Sequence, residues 1–204
     1  FDPYPSVGAI VDEQGRLIGS GILIEPNVVL TAGHVVNSFA FSFFIGDEDI
    51  LIDHILLHPN YDLSKKNSSD IALVFLECDA NCPPANLQEP NNDLYKGSIL
   101  IAVGYGGGEK RYSLPNTFWY YGTLIDQPSQ IKWLPIRATI WFGDSGGAVF
   151  SYFGVEKKLV GVISSLSFCD DVPYENSATS VKSFYDWIKE VINGKVGESI
   201  RIAE

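Results

Sequence analysis

Cations, cysteines, histidines and long apolar runs are all scarce in this sequence, and each scarcity closes off a class of function. The 14 Lys and Arg stand against 25 Asp and Glu, a formal charge of −11, and no basic cluster offsets it. Such a surface repels phosphate backbones and anionic lipid headgroups, so neither nucleic acid nor a membrane is an expected partner. The longest apolar runs, such as FAFSFFIG and LVGVISSL, fall far short of the roughly 20 residues that span a bilayer. The chain reads as soluble. It has no initiator Met and no charged-then-apolar leader, so FDPYPSV looks like a processed or trimmed start. Three cysteines, Cys78, Cys82 and Cys169, allow at most one internal disulfide. Cys78 and Cys82 could close a small loop, and at least one thiol is left over. This is no disulfide scaffold, and the spacing gives no zinc site. No metal and no cofactor is expected.

What is present is ordinary for a folded chain: 204 residues, 46% hydrophobic, 19% charged, with 19 glycines. That length suits one large domain or a two-lobed all-β unit. Short apolar stretches recur every roughly 8 to 14 residues with Gly, Pro, Asn and Asp at the breaks, the pattern of an all-β sandwich or barrel. DEQGRLIG reads as a hairpin turn. The polar stretch NLQEPNNDLYKG, residues 86 to 97, falls where a linker between two β lobes would lie. Only SVKSFYDWIKEVING has helical periodicity. Val181, Phe184, Trp187 or Ile188, and Val191 fall at spacings of three and four, with Gly194 as the stop.

The stretch with the most distinctive chemistry is IWFGDSGGAVF, residues 140 to 150, where Gly143, Gly146 and Gly147 surround Ser145. Glycines there let a turn aim a hydroxyl outward while pointing amide hydrogens at one spot. A serine hydroxyl is a poor nucleophile at neutral pH. Acyl transfer needs a base for its proton, an acid to orient that base, and donors for the developing oxyanion. There are three histidines, His34, His54 and His58. His34, in VVLTAGHVV, ends an apolar strand where the chain turns and is better placed than His58, which precedes a proline. Many aspartates could be the acid. Asp70 in SSDIALVFL leads directly into an apolar strand, where a carboxylate would be partly buried and in need of a partner.

TAGHVV, HPNYD with SSDIALV, and GDSGGAV occur in the order His, Asp, Ser, and in this the chain resembles the trypsin/chymotrypsin family of serine proteases. Supporting matches run from YPSVGAIV through GYGGG to LVGVISS and FYDWIKEVI, covering roughly Tyr4 to Ile192. The resemblance implies a chymotrypsin-like double β-barrel: two six-stranded antiparallel Greek-key barrels and a C-terminal α-helix. It would be a single domain, with an N-terminal lobe over about 1–90, a C-terminal lobe over about 91–180 and a helix over 181–193. It implies a serine endopeptidase working through an acyl-enzyme. Ser145 would be the nucleophile, His34 the general base and acid, and Asp70 the holder of the imidazole tautomer. The N–H groups of Gly143 and Ser145 would form the oxyanion hole. Ser164 matches the family serine that bonds the triad aspartate, and residues 164 to 166 match the edge strand that pairs with substrate. Activity should rise as the imidazole loses its proton.

The same resemblance assigns Thr139 to the position where trypsins carry an aspartate, and Leu166 and Asn176 to the pocket wall. With Ser164 and Ser165 these imply a small or shallow pocket for small or medium uncharged side chains, not for Lys or Arg. Asp170, Asp171 and Glu175 could act at its rim. In the family a new N-terminal ammonium usually pairs with the aspartate before the nucleophile, here Asp144. This chain begins Phe1-Asp2-Pro3, so Asp144 is expected to find Arg137, Lys132 or backbone donors. Val35 and Gly19 stand where one family disulfide lies, and Trp141 replaces the usual mate of Cys169. GDEDILID reads as a turn plus a strand, and His54 and His58 as surface or turn residues rather than a metal pair. FWYYG is core or interlobe packing. Expected partners are a protein or peptide substrate and a proteinaceous inhibitor, for a monomer located outside the cytoplasm or secreted. The alternative reading is a non-catalytic or precursor-state homologue acting as a protein-binding module, its oxyanion hole collapsed for want of an ordered Asp144.

Overall fold

The computed structural model describes residues 2–36, 39–62, 64, 69–95, 97–112, 116–117, 120–122, 130–133, 140–170 and 172–194. Six strands close into a barrel: β1 (Val7–Val11), β2 (Leu17–Glu25), β3 (Val28–Thr31), β4 (Ser42–Ile45), β5 (Glu48–Leu57) and β6 (Ala72–Leu76). The order around it is β1, β2, β3, β6, β5, β4, closed where Ala9 faces Phe44. Its strands are rich in Val, Ile and Leu, which fit a pleated, half-buried surface. Ile10, Ile22, Leu30, Phe43, Ile45 and Leu73 have no exposed surface.

The hairpin read from DEQGRLIG joins β1 to β2. Asp12 Oδ1 accepts the N–H groups of Gln14 at 3.0 Å and Arg16 at 2.9 Å, an Asx-type turn completed by Gly15 at φ +71°.

The second lobe holds β7 (Ile99–Gly104), β8 (Arg111–Tyr112), β9 (Asn116–Thr117), β10 (Tyr120–Gly122), β11 (Gln130–Trp133), β12 (Ala148–Phe153), β13 (Glu156–Cys169) and β14 (Val172–Ser180). They form one antiparallel sheet in the order β10, β11, β14, β13, β12, β7, β8, with β9 paired to β7. Trp133, Ile131, Leu100 and Val149 centre its own apolar cluster. The fold is thus all-β with two helices, α1 (Gly33–Val36) and α2 (Val181–Ile192). On α2 the buried stripe is Val181, Phe184, Ile188 and Val191, and Trp187 is partly buried at the edge of the same core. Gly194, at φ +71°, follows its end.

Strand register brings the chemistry to one place. Thr31 at the end of β3 pairs with Ala72 at the start of β6, so His34, just past β3, and Asp70, just before β6, emerge side by side. Ala148 of β12 pairs with Val162 of β13. Ser145, just before β12, therefore lies near Ser164.

Candidate active site

Asp70 is the anchor of the site. It is 8% exposed, and each of its carboxylate oxygens takes a hydrogen bond from His34: Oδ1 from the backbone N–H at 3.0 Å, Oδ2 from the ring at Nδ1 at 2.8 Å. Ser164 Oγ donates to Oδ2 at 2.6 Å, and Thr179 Oγ1 donates to the Asp70 carbonyl at 3.0 Å. Burial pushes the carboxyl pKa up, but the bonds from His34 and Ser164 outweigh it and hold the pKa below the usual carboxylate range. With Nδ1–H committed to Asp70, the Nε2 lone pair of His34 is left free. The imidazole is 34% exposed and lines a cleft together with Gly143 and Ser145. No hydrogen bond joins His34 directly to Ser145 Oγ among the described residues, and catalytic contacts are often open before substrate binds.

The turn holding Ser145 is fixed from the other lobe. The Ser145 carbonyl accepts from Ser20 N at 2.8 Å, and Ser20 Oγ donates to the Gly143 carbonyl at 2.7 Å while accepting from Tyr105 N at 2.9 Å. Gly143 and Gly146 sit at φ +96° and +81°. A Cβ on Gly146 would lie 2.2 Å from both Ser20 O and Thr31 Oγ1, so the close approach requires glycine. The N–H groups of Asp144, Gly146 and Gly147 bond to Trp141, Ile163 and Asp144 carbonyls respectively. Those of Gly143 and Ser145 have no acceptor among the described residues. Ser20 escaped the sequence reading, because a lone serine between glycines in an apolar strand carries no local signature.

Asp144 does find partners, and they are backbone amides. Oδ1 accepts from Gly106 N and Oδ2 from Trp141 N, both at 2.7 Å. Burial pushes its pKa up, and the two amides and the more distant Arg111 only partly offset that. Lys132 is engaged elsewhere: β11 sets it opposite Ser177, next to Glu175, and its Nζ meets Glu175 Oε1 at 2.7 Å. That pair also removes Glu175 as a free rim charge. Arg137 and Asp171 lie outside the described residues.

The pocket residues are scattered in role. Ser165 Oγ shares a hydrogen bond with Ser177 Oγ at 2.7 Å, Leu166 packs on the second lobe's apolar cluster, and Asn176 is fully buried. Thr139 and FWYYG's Phe118 and Trp119 lie outside the described residues. A Cβ on Gly19 would lie 2.6 Å from Val35 Cγ1, so these two pack directly where the family disulfide would be. Cys78 and Cys82 are free thiols, Cys78 exposed, which corrects the local staple the spacing allowed. His54 stacks on Phe75 and bonds Asp53, as a surface residue can. His58 opens a turn, as read, its carbonyl accepting from Tyr61 N at 2.8 Å, and its half-buried ring also meets Phe184 and Trp187 edge-on at 4.9 and 4.8 Å. No group of three or more His, Cys, Asp or Glu side chains that could hold a metal occurs among the described residues.

The chain is similar to known proteins over most of its length. A sequence model of the trypsin family matches residues 3–188. Rabbit (Oryctolagus cuniculus) vitamin K-dependent protein C is 25% identical over 225 residues, covering 91% of this chain and 49% of that protein. Human transmembrane protease serine 5 is 24% identical over 211 residues, covering 83% and 45%. The chain therefore spans about half the length of these relatives. Neuropsin, a serine protease expressed in the limbic system of mouse brain, superposes with a TM-score of 0.76 at 23% identity, over 93% of this chain and 95% of that one. A double β-barrel with this match across almost its whole length belongs to the trypsin family of serine proteases.

Proposed function

We propose that this chain is an active serine endopeptidase that hydrolyses peptide bonds through an acyl-enzyme on Ser145. The observation that carries the reading is the bond from His34 Nδ1 to Asp70 Oδ2, beside a cleft that His34 shares with Ser145. It fixes the tautomer in which Nε2 can take the Ser145 proton. Oγ then attacks the scissile carbonyl, and the resulting oxyanion takes the free N–H groups of Gly143 and Ser145, each such donor being worth about 10²–10³ in turnover. The imidazolium returns its proton to the amine as the C–N bond breaks. Water, deprotonated by the same imidazole, releases the acyl group and restores Oγ–H. The anchoring of Asp144 by Gly106 and Trp141 favours this reading over an inert homologue, because main-chain donors hold the turn that bears the oxyanion donors.

In this reading residues 164 to 166 pair with the acyl side of the substrate. Ser165, Leu166 and Asn176 bound a pocket for small or medium uncharged side chains rather than Lys or Arg. The chain is one catalytic domain of two lobes, acts as a monomer on protein or peptide substrates outside the cytoplasm, and is open to proteinaceous inhibitors. No helix among the described residues is long and apolar enough to cross a membrane. A fluorophosphonate probe tests the proposal. Labelling should map to Ser145 and vanish in His34→Ala; a folded protein that stays unlabelled refutes it. Profiling with a peptide library tests the pocket, and a dominant Lys or Arg preference would refute that part.

A further inference from the structure

The cleft that begins at His34 and Ser145 is large, about 1260 Å³, and does not extend toward residues 164 to 166. It runs over the N-terminal barrel. Its floor is apolar, made by Ile18, Val35 and Ile52, and three aromatic rings stand along it, Phe39, Phe41 and Phe142. These rings are 87%, 42% and 79% exposed. Phe39 is held at φ +63°, a backbone conformation a bulky side chain rarely adopts. Exposed aromatic surface gathered in one groove is typical of a binding site, where rings give large contact area at little entropic cost.

The rim is charged, and the charges are of one sign once local pairs are removed. Asp12 and Arg16 neutralise each other at 2.6 Å. Glu13 is exposed and has no ion-pair or hydrogen-bond partner among the described residues. The Asp53 side chain is 62% exposed and, among the described residues, bonds only to the His54 ring, at 2.7 Å. Two carboxylates without a Lys or Arg therefore flank an aromatic groove, on a chain whose formal charge is −11.

Direction follows from proton traffic. The imidazole that delivers a proton to the departing amine marks the side on which that amine leaves, and the groove starts at that imidazole and at Val35 beside it. Resting on the endopeptidase reading, we propose that this groove binds the leaving-group side of the substrate. It selects an aromatic or large apolar residue directly after the scissile bond, followed within two positions by Lys or Arg. The apolar residue lies among Phe39, Phe41 and Phe142, and the cation reaches Glu13 and Asp53.

The test uses internally quenched peptides with one acyl side and three leaving sides: Phe-Lys, Phe-Glu and Gly-Gly. An ester of the same acyl side with a p-nitrophenol leaving group reports acyl chemistry alone. At low salt kcat/KM for Phe-Lys should exceed that for Phe-Glu about tenfold, shrinking at high salt, as two partly exposed charge pairs allow. The double variant Glu13→Gln, Asp53→Asn should bring that ratio to about twofold, and Phe39→Ser should narrow the preference for Phe-Lys over Gly-Gly. Ester hydrolysis with equal rates on all three peptides would overturn the groove assignment and leave the endopeptidase standing. Affinity of labelled Phe-Lys and Phe-Glu peptides for Ser145→Ala reads the groove without turnover. Tighter binding of Phe-Lys supports it even if no substrate is cleaved, and equal affinities overturn it.

Discussion

Asp70 takes one hydrogen bond on Oδ1 and two on Oδ2, so replacing either oxygen by an amide nitrogen sets donor against donor. In Asp70→Asn the amide would hold His34 in the tautomer with its proton on Nε2, leaving no base for Ser145. Turnover of the ester should fall about 10⁴-fold with the circular dichroism spectrum unchanged; a loss under tenfold would show that Asp70 does not orient the imidazole. Ser164→Ala removes a buried charge-assisted bond and should cost about 2 kcal/mol in urea unfolding at neutral pH. Its acid behaviour has a defined sign. Because the folded-state pKa of Asp70 is depressed, its stabilisation is present above the unfolded value of 3.8 and is lost as pH falls through the folded one. Removing Ser164 leaves the burial penalty less opposed, so acid unfolding should begin at higher pH than in the unaltered protein.

At the scale of the element, the turn between Trp141 and Ala148 is held by backbone amides and by Ser20 rather than by a charged partner. The segment before β1 is held away from that turn: Asp2 pairs with Lys110 at 2.6 Å, and Lys157 donates to the Pro3 carbonyl at 2.6 Å. Asp144→Asn, which turns an NH2 toward the Gly106 or Trp141 amide, should lower kcat about 10²-fold, the worth of one oxyanion donor. Steady-state kinetics of this variant checks the prediction, and an unchanged kcat would refute it. The candidate site residues His34, Asp70 and Ser145 were legible because each lies just beyond one end of an apolar strand, in motifs that survive as plain sequence. The partners of Asp144 were open among three choices. Main-chain donors have no residue signature, and Gly106 lies 38 residues away. The pairing of Glu175 was hidden for a related reason, since only the β11–β14 register brings Lys132 to it.

On the scale of the whole molecule, the two lobes are joined by crossings at both ends of the chain. Tyr4 from the N-terminal arm stacks on Phe150 of β12 at 5.4 Å, under the ammonium of Lys157. In return α2, which follows the second lobe, packs on the first through His58, lodged against Phe184 and Trp187. A histidine before a proline reads as a surface turn; the turn forms, and the return of a distant helix half-buries the ring. His58 Nδ1 accepts from Asn60 N at 3.2 Å, so the ring fits as the neutral Nε2–H tautomer, and burial lowers its pKa from the model-peptide value of 6.5. A base with a depressed folded-state pKa binds fewer protons folded than unfolded. Stability is thus untouched by this group above pH 6.5 and declines as pH falls below it. His58→Phe keeps an aromatic surface and removes the proton site. Melting temperature followed by calorimetry from pH 8 down to pH 5 should fall less steeply in the variant than in the unaltered protein, the curves diverging below pH 6.5. Because His34 and Asp70 come from one lobe and Ser145 and Ser164 from the other, thermal inactivation of ester hydrolysis should follow the same divergence. Parallel curves would show that the His58 contact does not help hold the lobes together.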